Sequence, residues 1–299
     1  MARSTKMKFL RFALVRSAPL LAALLVAGCV SPGTTAPATG APTTGPGQAG
    51  AATPVPATTG FYLRTWQSQA LAPDYTFGSL PLATISDGEY IDGLVAIPMI
   101  FPGPIYVGLS ERPISSAGID AIVAEAQTDG LLGATTDFSQ GLMPGGVTAH
   151  VTIVVDGTTH DLTGLLPGAT APATVKPGTA DAFEAFWTKL STIDEWLAAD
   201  LGSSTPYTPT SVAVMLTAPT DAPAGMTPQI KPWPLSSTFA TFGTAMGSSR
   251  CGVVSGPDLA TLLPVVQDSN ALTRFTDSTG ATTSIEVRVI VPGEPGPCP

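Results

Sequence analysis

Histidine and cysteine, the side chains on which most metal sites and many nucleophilic sites depend, are nearly missing from this chain. Its 299 residues include two His and three Cys, and charged residues make up only 12% of it. The sequence has no His-Glu-x-x-His or calcium-loop pattern, no Gly-x-Ser-x-Gly and no phosphate-binding loop. We therefore predict no catalytic residue, no cofactor and no metal site from the sequence.

The two histidines, His150 and His160, fall within one predicted β-hairpin from Val147 to Leu162. With Asp156-Gly157 as its turn, they lie on opposite faces of the pleated strands and cannot share a metal ion. We expect His160 at the edge of the core and His150 in solvent. A Ser-His-Asp site assembled from distant residues is the alternative that this pattern leaves open.

Basic residues are scarce outside the first 16 positions. Five of the 13 Lys and Arg residues stand there, so removal of residues 1–28 changes the formal charge from −9 to −14. A body this acidic is repelled by nucleic acid and by anionic lipid headgroups. We therefore predict no nucleic-acid partner and no basic membrane-binding face.

A long apolar run is also lacking, and the short one from Leu20 to Ala27 follows a basic start, as in a secretory signal. The run ends in Val26-Ala27-Gly28-Cys29, which resembles the lipobox of bacterial lipoproteins. That resemblance implies cleavage after residue 28, a lipid on Cys29, and a position at the outer face of the bacterial cell membrane. The alternative is an ordinary secretory signal with a chance cysteine at the cleavage point.

The segment from residue 29 to residue 59 has no aromatic or charged residue and consists mostly of Thr, Ala, Pro and Gly. Such a composition cannot bury enough apolar surface to fold, and its prolines favour an extended spacer. The sequence thus divides into a signal peptide (1–28), a lipidated cysteine with a disordered linker (29–59), and an extracytoplasmic domain (60–299).

If Cys29 carries lipid, Cys251 and Cys298 remain as an even pair in an oxidising compartment. We predict a disulfide between them, worth about 4 kcal/mol by the loop-entropy model. The alternative is a pair of free thiols.

The strands are predicted from alternating and β-branched residues between turn signals. The expected strands are Phe61–Trp66, a hairpin over Leu82–Ile91 turning at Asp87-Gly88, Ile105–Leu109, the 147–162 hairpin, Ser211–Leu216, and a final hairpin turning near Ser278–Gly280. In that last hairpin Ile285, Val287, Val289 and Val291 should face inward, with Glu286 and Arg288 facing outward.

Three amphipathic helices are predicted from apolar residues at helical spacing. The first starts after Ser115 and ends at Gly130, and the second covers Asp181–Leu201 with an Asp181/Glu184 capping box. The third starts at Ser255, and Pro264 should kink or shorten it. Together with the strands, they predict an α+β fold of antiparallel hairpins packed by about three helices.

The first and third helices align at one constant offset, and a hairpin follows each of them. Two βαββ-like halves are one interpretation. The other is a general likeness between amphipathic helices.

Trp233 lies between two prolines and is the candidate partner contact, since aromatic residues dominate binding hot spots. The alternative is burial in the core, the usual fate of large apolar residues.

Beyond the lipobox, the body resembles a family of uncharacterised secreted lipoproteins of actinobacteria and similar bacteria. The features that carry the likeness are Asp87-Gly88, Phe101-Pro-Gly-Pro104, the Ile119–Leu131 helix, the Val151–Asp161 hairpin, Trp233-Pro234, and the Cys251/Cys298 pair. The resemblance implies an extracytoplasmic location and a single α+β unit, and it transfers no functional residue.

These features favour a membrane-tethered extracytoplasmic lipoprotein that acts as a non-catalytic binding or interaction module. Its expected partners are the membrane, through the N-terminal lipid, and an envelope protein or ligand. The alternative function is a cell-envelope hydrolase whose site assembles from distant residues.

Overall fold

A computed structural model describes residues 60–69, 77, 79–94, 100–139, 147–166, 176–219 and 221–298. All of them belong to one compact unit, Gly47–Pro299. The predicted signal segment, Cys29 and the linker up to residue 59 lie outside the described residues.

The first sheet contains seven antiparallel strands in the order β6-β5-β1-β2-β3-β4-β7. The strands are β1 (Tyr62–Gln69), β2 (Ala83–Ser86), β3 (Glu89–Asp92), β4 (Ser110–Pro113), β5 (Val147–Val155), β6 (Thr158–Leu166) and β7 (Thr205–Pro206).

Two Asp-Gly turns set the register of this sheet. Asp87, Gly88, Asp156 and Gly157 all have positive φ, which the two-residue hairpin turn requires. Val155 therefore pairs with Thr158 and Ile153 with His160. Both hairpins and this register confirm the predictions from the sequence.

The second sheet contains six strands in the order β10-β11-β8-β13-β12-β9, and only the β12–β9 pair is parallel. The strands are β8 (Ser211–Thr217), β9 (Ile230–Pro232), β10 (Thr244–Met246), β11 (Ser249–Ser255), β12 (Arg274–Thr276) and β13 (Thr282–Val289). The predicted strand over Ile105–Leu109 is wrong, because the strand begins only at Ser110, and the Ile105 amide donates instead to the carbonyl of Ser269.

The described residues form four helices, which confirms the α+β class. They are α1 (Ser116–Thr128), α2 (Ala180–Ser191), α3 (Ile193–Trp196) and α4 (Gly256–Gln267). Residues of α1, α2 and α3 pack with the first sheet in one core, centred on Leu63, Ile122 and Phe183. Residues of α4 pack with the second sheet around Val214, Leu262 and Phe275.

The second predicted helix differs from the structure at both ends. It begins after the cap residue Thr179, whose hydroxyl accepts from the Ala182 amide, so the Asp181/Glu184 capping box is wrong. It also breaks at Thr192 into α2 and α3. The hydroxyls of Ser191 and Thr192 donate to the Thr188 carbonyl, a local bond that competes with helix continuation.

Pro264 does not shorten α4, which continues to Gln267. Its missing N–H removes one helical bond. The carbonyl of Pro264 still accepts from the Asp268 amide, so the last turn is closed. Leu259, Leu262 and Val266 are buried, as their helical spacing predicts.

The two halves share a succession of elements but not a sheet topology. Strand, helix and hairpin follow one another as β4-α1-β5-β6 and as β11-α4-β12-β13. In the first half the leading hairpin strand, β5, pairs with β1, whereas in the second the trailing strand, β13, pairs with β8. The predicted βαββ succession is therefore present in both halves, while the strand pairing of the described residues differs between them.

The second sheet is covered on both faces. Residues of α4 cover one face, and on the other Cys298 packs against Cys251, Ala213 and Ile290. The predicted disulfide joins Cys251 and Cys298, with Cα atoms 5.3 Å apart.

The prediction that Arg288 faces solvent is wrong. Its side chain is 5% exposed and forms an ion pair with Glu294, which lies in the segment that follows β13. Alternation along a strand predicts one buried and one solvent-exposed face, but here the segment after β13 folds back over the second face. Glu286 is exposed, as expected.

Candidate functional site

The outward face of the first sheet carries an ordered group of polar and aromatic side chains. Along β1, Leu63 and Thr65 point into the core, so the alternating residues Arg64, Trp66 and Ser68 point outward. His150 of β5 is the direct cross-strand partner of Trp66. We call Arg64, Trp66, Ser68 and His150 the stacked cluster.

The geometry of the stacked cluster is that of three planar groups packed together. The ring centroids of Trp66 and His150 are 4.8 Å apart with planes 9° from parallel, and the Arg64 Cζ lies 4.3 Å from the Trp66 ring centroid. Cross-strand pairs contribute about 0.2–1 kcal/mol and exposed cation–π contacts about 0.5–1 kcal/mol. The Trp66 ring is therefore held by its two neighbours.

Hydroxyl groups contact both nitrogens of the His150 ring. The Ser68 Oγ lies 2.8 Å from Nε2, and the Thr163 Oγ1 lies 3.4 Å from Nδ1. Burial lowers the pKa of His150 below its usual value, and the Arg64 guanidinium lowers it further. The lowered pKa favours the uncharged form of the imidazole at neutral pH.

His150 is thus half-buried and partnered, and the expectation that it is solvated is wrong. The placement of the two histidines on opposite faces of the hairpin is confirmed by the register. Within the described part of the chain, no group of three His, Cys, Asp or Glu side chains is arranged to hold a metal ion.

The depressed pKa of His150 has a measurable consequence for stability. Because the unfolded chain binds a proton more readily than the folded one, acid lowers the free energy of unfolding as the pH falls below about 6.5. Replacing His150 by Gln removes this contribution.

The measurement is chemical denaturation of the full chain between about pH 5 and 7. We expect the parent to lose more stability than His150→Gln across that window. In His160→Gln, which leaves His150 as the single histidine, NMR should report a pKa below 6.5. A value at or above 6.5 contradicts the burial and the Arg64 contact.

A Ser-His-Asp arrangement is only partly present. Ser68 forms a hydrogen bond with Nε2 of His150. At Nδ1, where the carboxylate of a triad would orient the ring, the contact is instead the hydroxyl of Thr163. Among the described residues no carboxylate makes a hydrogen bond with His150. The pair is therefore a dyad on an outward sheet face.

Trp233, the candidate partner contact, is buried and is 7% exposed. Its ring packs edge-on against Phe239, Phe242 and Phe275, with centroids 5.4, 5.5 and 6.1 Å away. The partner-contact prediction is therefore wrong, and the alternative of core burial is right. Trp66, by contrast, does lie on an outward face, and the period-two alternation of β1 signals its position.

A cleft of about 590 Å³ lies between the two sheets. Its walls come from β13 on one side and from the segments near Leu80 and Ile105 on the other. Neither histidine lines this cleft. A hydrolytic site of the Ser-His-Asp type would need one there.

No helix within the described ranges combines the length and the apolar character needed to cross a membrane. Comparison with protein-family models, with curated proteins and with solved structures finds no match to this chain. The likeness to secreted actinobacterial lipoproteins therefore stays a prediction from the sequence.

Proposed function

We propose that this protein is a lipid-tethered extracytoplasmic binding module of the bacterial cell envelope. In this proposal, Cys29 carries the lipid and the outward face of the first sheet contacts a partner or ligand through the stacked cluster. The observation that carries it is the position of Trp66, whose half-buried ring lies on an outward face and contacts both a cation and an imidazole.

The tether is supported by the order of features at the N-terminus. A basic start, a short apolar run, the Val26–Cys29 box and a linker without charge precede the folded region. More than one acyl chain gives durable membrane attachment. An acidic body has no electrostatic attraction to anionic lipid, so the lipid would be its only attachment to the membrane.

Binding is supported by the chemistry of the cluster. Trp and Arg are enriched among the residues that dominate binding energy at interfaces. Here both are held in place before any partner arrives, by ring stacking and by the bond from Arg64 Nη1 to the Gly293 carbonyl. A preorganised contact loses less conformational entropy on binding.

Photo-crosslinking in intact cells tests this proposal. A benzophenone amino acid at position 68, within the cluster, should give a discrete adduct. The matched control places the same group at Thr188, an exposed position on α2. The additional change Trp66→Ala should reduce the adduct from position 68 by about tenfold or more, since a central aromatic contact is worth at least 1.4 kcal/mol.

Equal adducts from positions 68 and 188, or an adduct from position 68 that Trp66→Ala leaves unchanged, contradict binding through this face. A melting curve of Trp66→Ala shows whether the domain remains folded.

A cell-envelope hydrolase is the second candidate, and the 2.8 Å contact between Ser68 and His150 favours it. An uncharged imidazole can accept the proton of a serine hydroxyl during nucleophilic attack. A fluorophosphonate probe should then modify Ser68, and His150→Gln should abolish the modification. If the intact mass shows no adduct at Ser68, this candidate is wrong.

A further inference from the structure

We propose that the cleft between the two sheets binds an extended, uncharged peptide segment, which adds a strand to the free edge of β13. None of the four residues of the stacked cluster lines this cleft.

The first observation is the one-sided pairing of β13. From Ser284 to Val289 it pairs with β8 along one edge. Along the other edge β12 pairs only with Thr282 and Thr283. Within the ranges that the structure describes, the edge from Ser284 to Val289 has no strand beside it.

Such an edge presents backbone groups that attract another strand. In an antiparallel strand, alternate residues direct their N–H and C=O groups to the same side, so about three of these six residues face the free edge. Folded proteins usually protect an edge of this kind with charge, proline or a covering segment. The charged residues of this segment are Glu286 and Arg288, but Arg288 is paired with Glu294, and the edge of β13 borders the cleft.

The second observation is the shape and lining of the cleft. Its volume of about 590 Å³ is within the range of ligand sites in proteins. Opposite β13 its wall is mainly apolar, formed by Phe77, Leu80, Leu82, Pro104, Ile105 and Val107. A strand added here would pair its backbone with β13 and place alternate side chains against this wall.

The third observation concerns charge. Arg288 lines the cleft, and its guanidinium is already paired with Glu294. The other charged residue of the lining, Glu286, is exposed to solvent. With its one buried charge already compensated, the lining offers no unpaired cation to an anion, and the free backbone edge is matched by a neutral peptide backbone. The occupant that fits is an uncharged, extended peptide with apolar side chains.

Hydrogen exchange of the unliganded full chain is the first part of the test. In the free protein the amides of Ser284–Val289 that face the cleft should exchange quickly, while those bonded to β8 are protected. Protection of all six amides would overturn the proposal, because the edge would then already be occupied.

The second part uses a phage-displayed library of short random peptides as the probe. Peptides with alternating apolar residues should be enriched on the parent, and binding should slow exchange at the cleft-facing amides of Ser284–Val289. Val107→Trp fills the cleft and should weaken binding by about tenfold or more. Val123→Trp, at a half-buried valine on α1 away from the cleft, is the matched control and should bind like the parent.

The proposal is wrong if no peptide is enriched on the parent, if Val107→Trp binds the enriched peptides as well as Val123→Trp does, or if their binding leaves the exchange of Ser284–Val289 unchanged. These results do not depend on whether position 68 gives a crosslink. Failure of the peptide site and failure of the proposed function are therefore distinguishable.

Discussion

Replacing Glu294 by Ala should lower the free energy of unfolding by about 3–5 kcal/mol, the cost of removing one partner from a buried ion pair. The side chains of Arg288 and Glu294 are only 5% and 7% exposed. Without Glu294 the Arg288 guanidinium would remain buried with no opposite charge beside it. Denaturant unfolding of the full chain measures the change.

The large loss does not mean that the pair itself contributes that much to stability. Burial raises the pKa of Glu294 above its usual value, although Arg288 and Arg64 lower it. Ionising this carboxyl therefore costs more in the folded chain than in the unfolded chain. Replacing Glu294 lowers the stability chiefly because the Arg288 charge then stays buried without a partner.

Glu286 is the matched control for this experiment. It lies two residues before Arg288 on the same strand but is exposed, so Glu286→Ala should change stability by no more than about 0.5 kcal/mol. Equal losses in the two variants would contradict the buried pair.

Loss of the Cys251–Cys298 disulfide should cost about 2–5 kcal/mol. The bond joins positions 47 residues apart and attaches the end of the chain to β11. Glu294 lies in the segment that this bond holds in place. The variant Cys251→Ala/Cys298→Ala, compared with the parent by denaturant unfolding, measures the cost.

A double-mutant cycle joins these two predictions. If the disulfide positions the segment carrying Glu294, then Glu294→Ala should cost at least about 0.5 kcal/mol less in the protein without cysteines 251 and 298 than in the parent. Strictly additive losses would show that the segment stays in place without the bond.

Local signals in the sequence predict correctly those elements that depend on residues close together in the chain. Asp87-Gly88 and Asp156-Gly157 predict both turns, because few residues other than Gly, Asn and Asp accept positive φ readily. The apolar spacing of α1 and α4 likewise predicts their buried faces. Cys251 and Cys298 were predicted as a pair from compartment and parity, and they are bonded.

The features that sequence patterns missed depend on contacts between distant segments. Trp66 and His150 become neighbours only because β1 pairs with β5, and no local pattern specifies that pairing. Arg288 alternates like an outward residue, and only the returning segment with Glu294 buries it. The prolines that flank Trp233 give no information about its neighbours, and only the tertiary fold places aromatic rings around it.

The intact mass of the protein extracted from cell membranes tests the lipid tether, on which the proposed function depends. We predict a mature chain that begins at Cys29 and carries a diacylglyceryl group on its thiol, while Cys29→Ser yields no such species and leaves the detergent phase. A mature chain with an unmodified Cys29, or one that retains residues 1–28, would contradict the account.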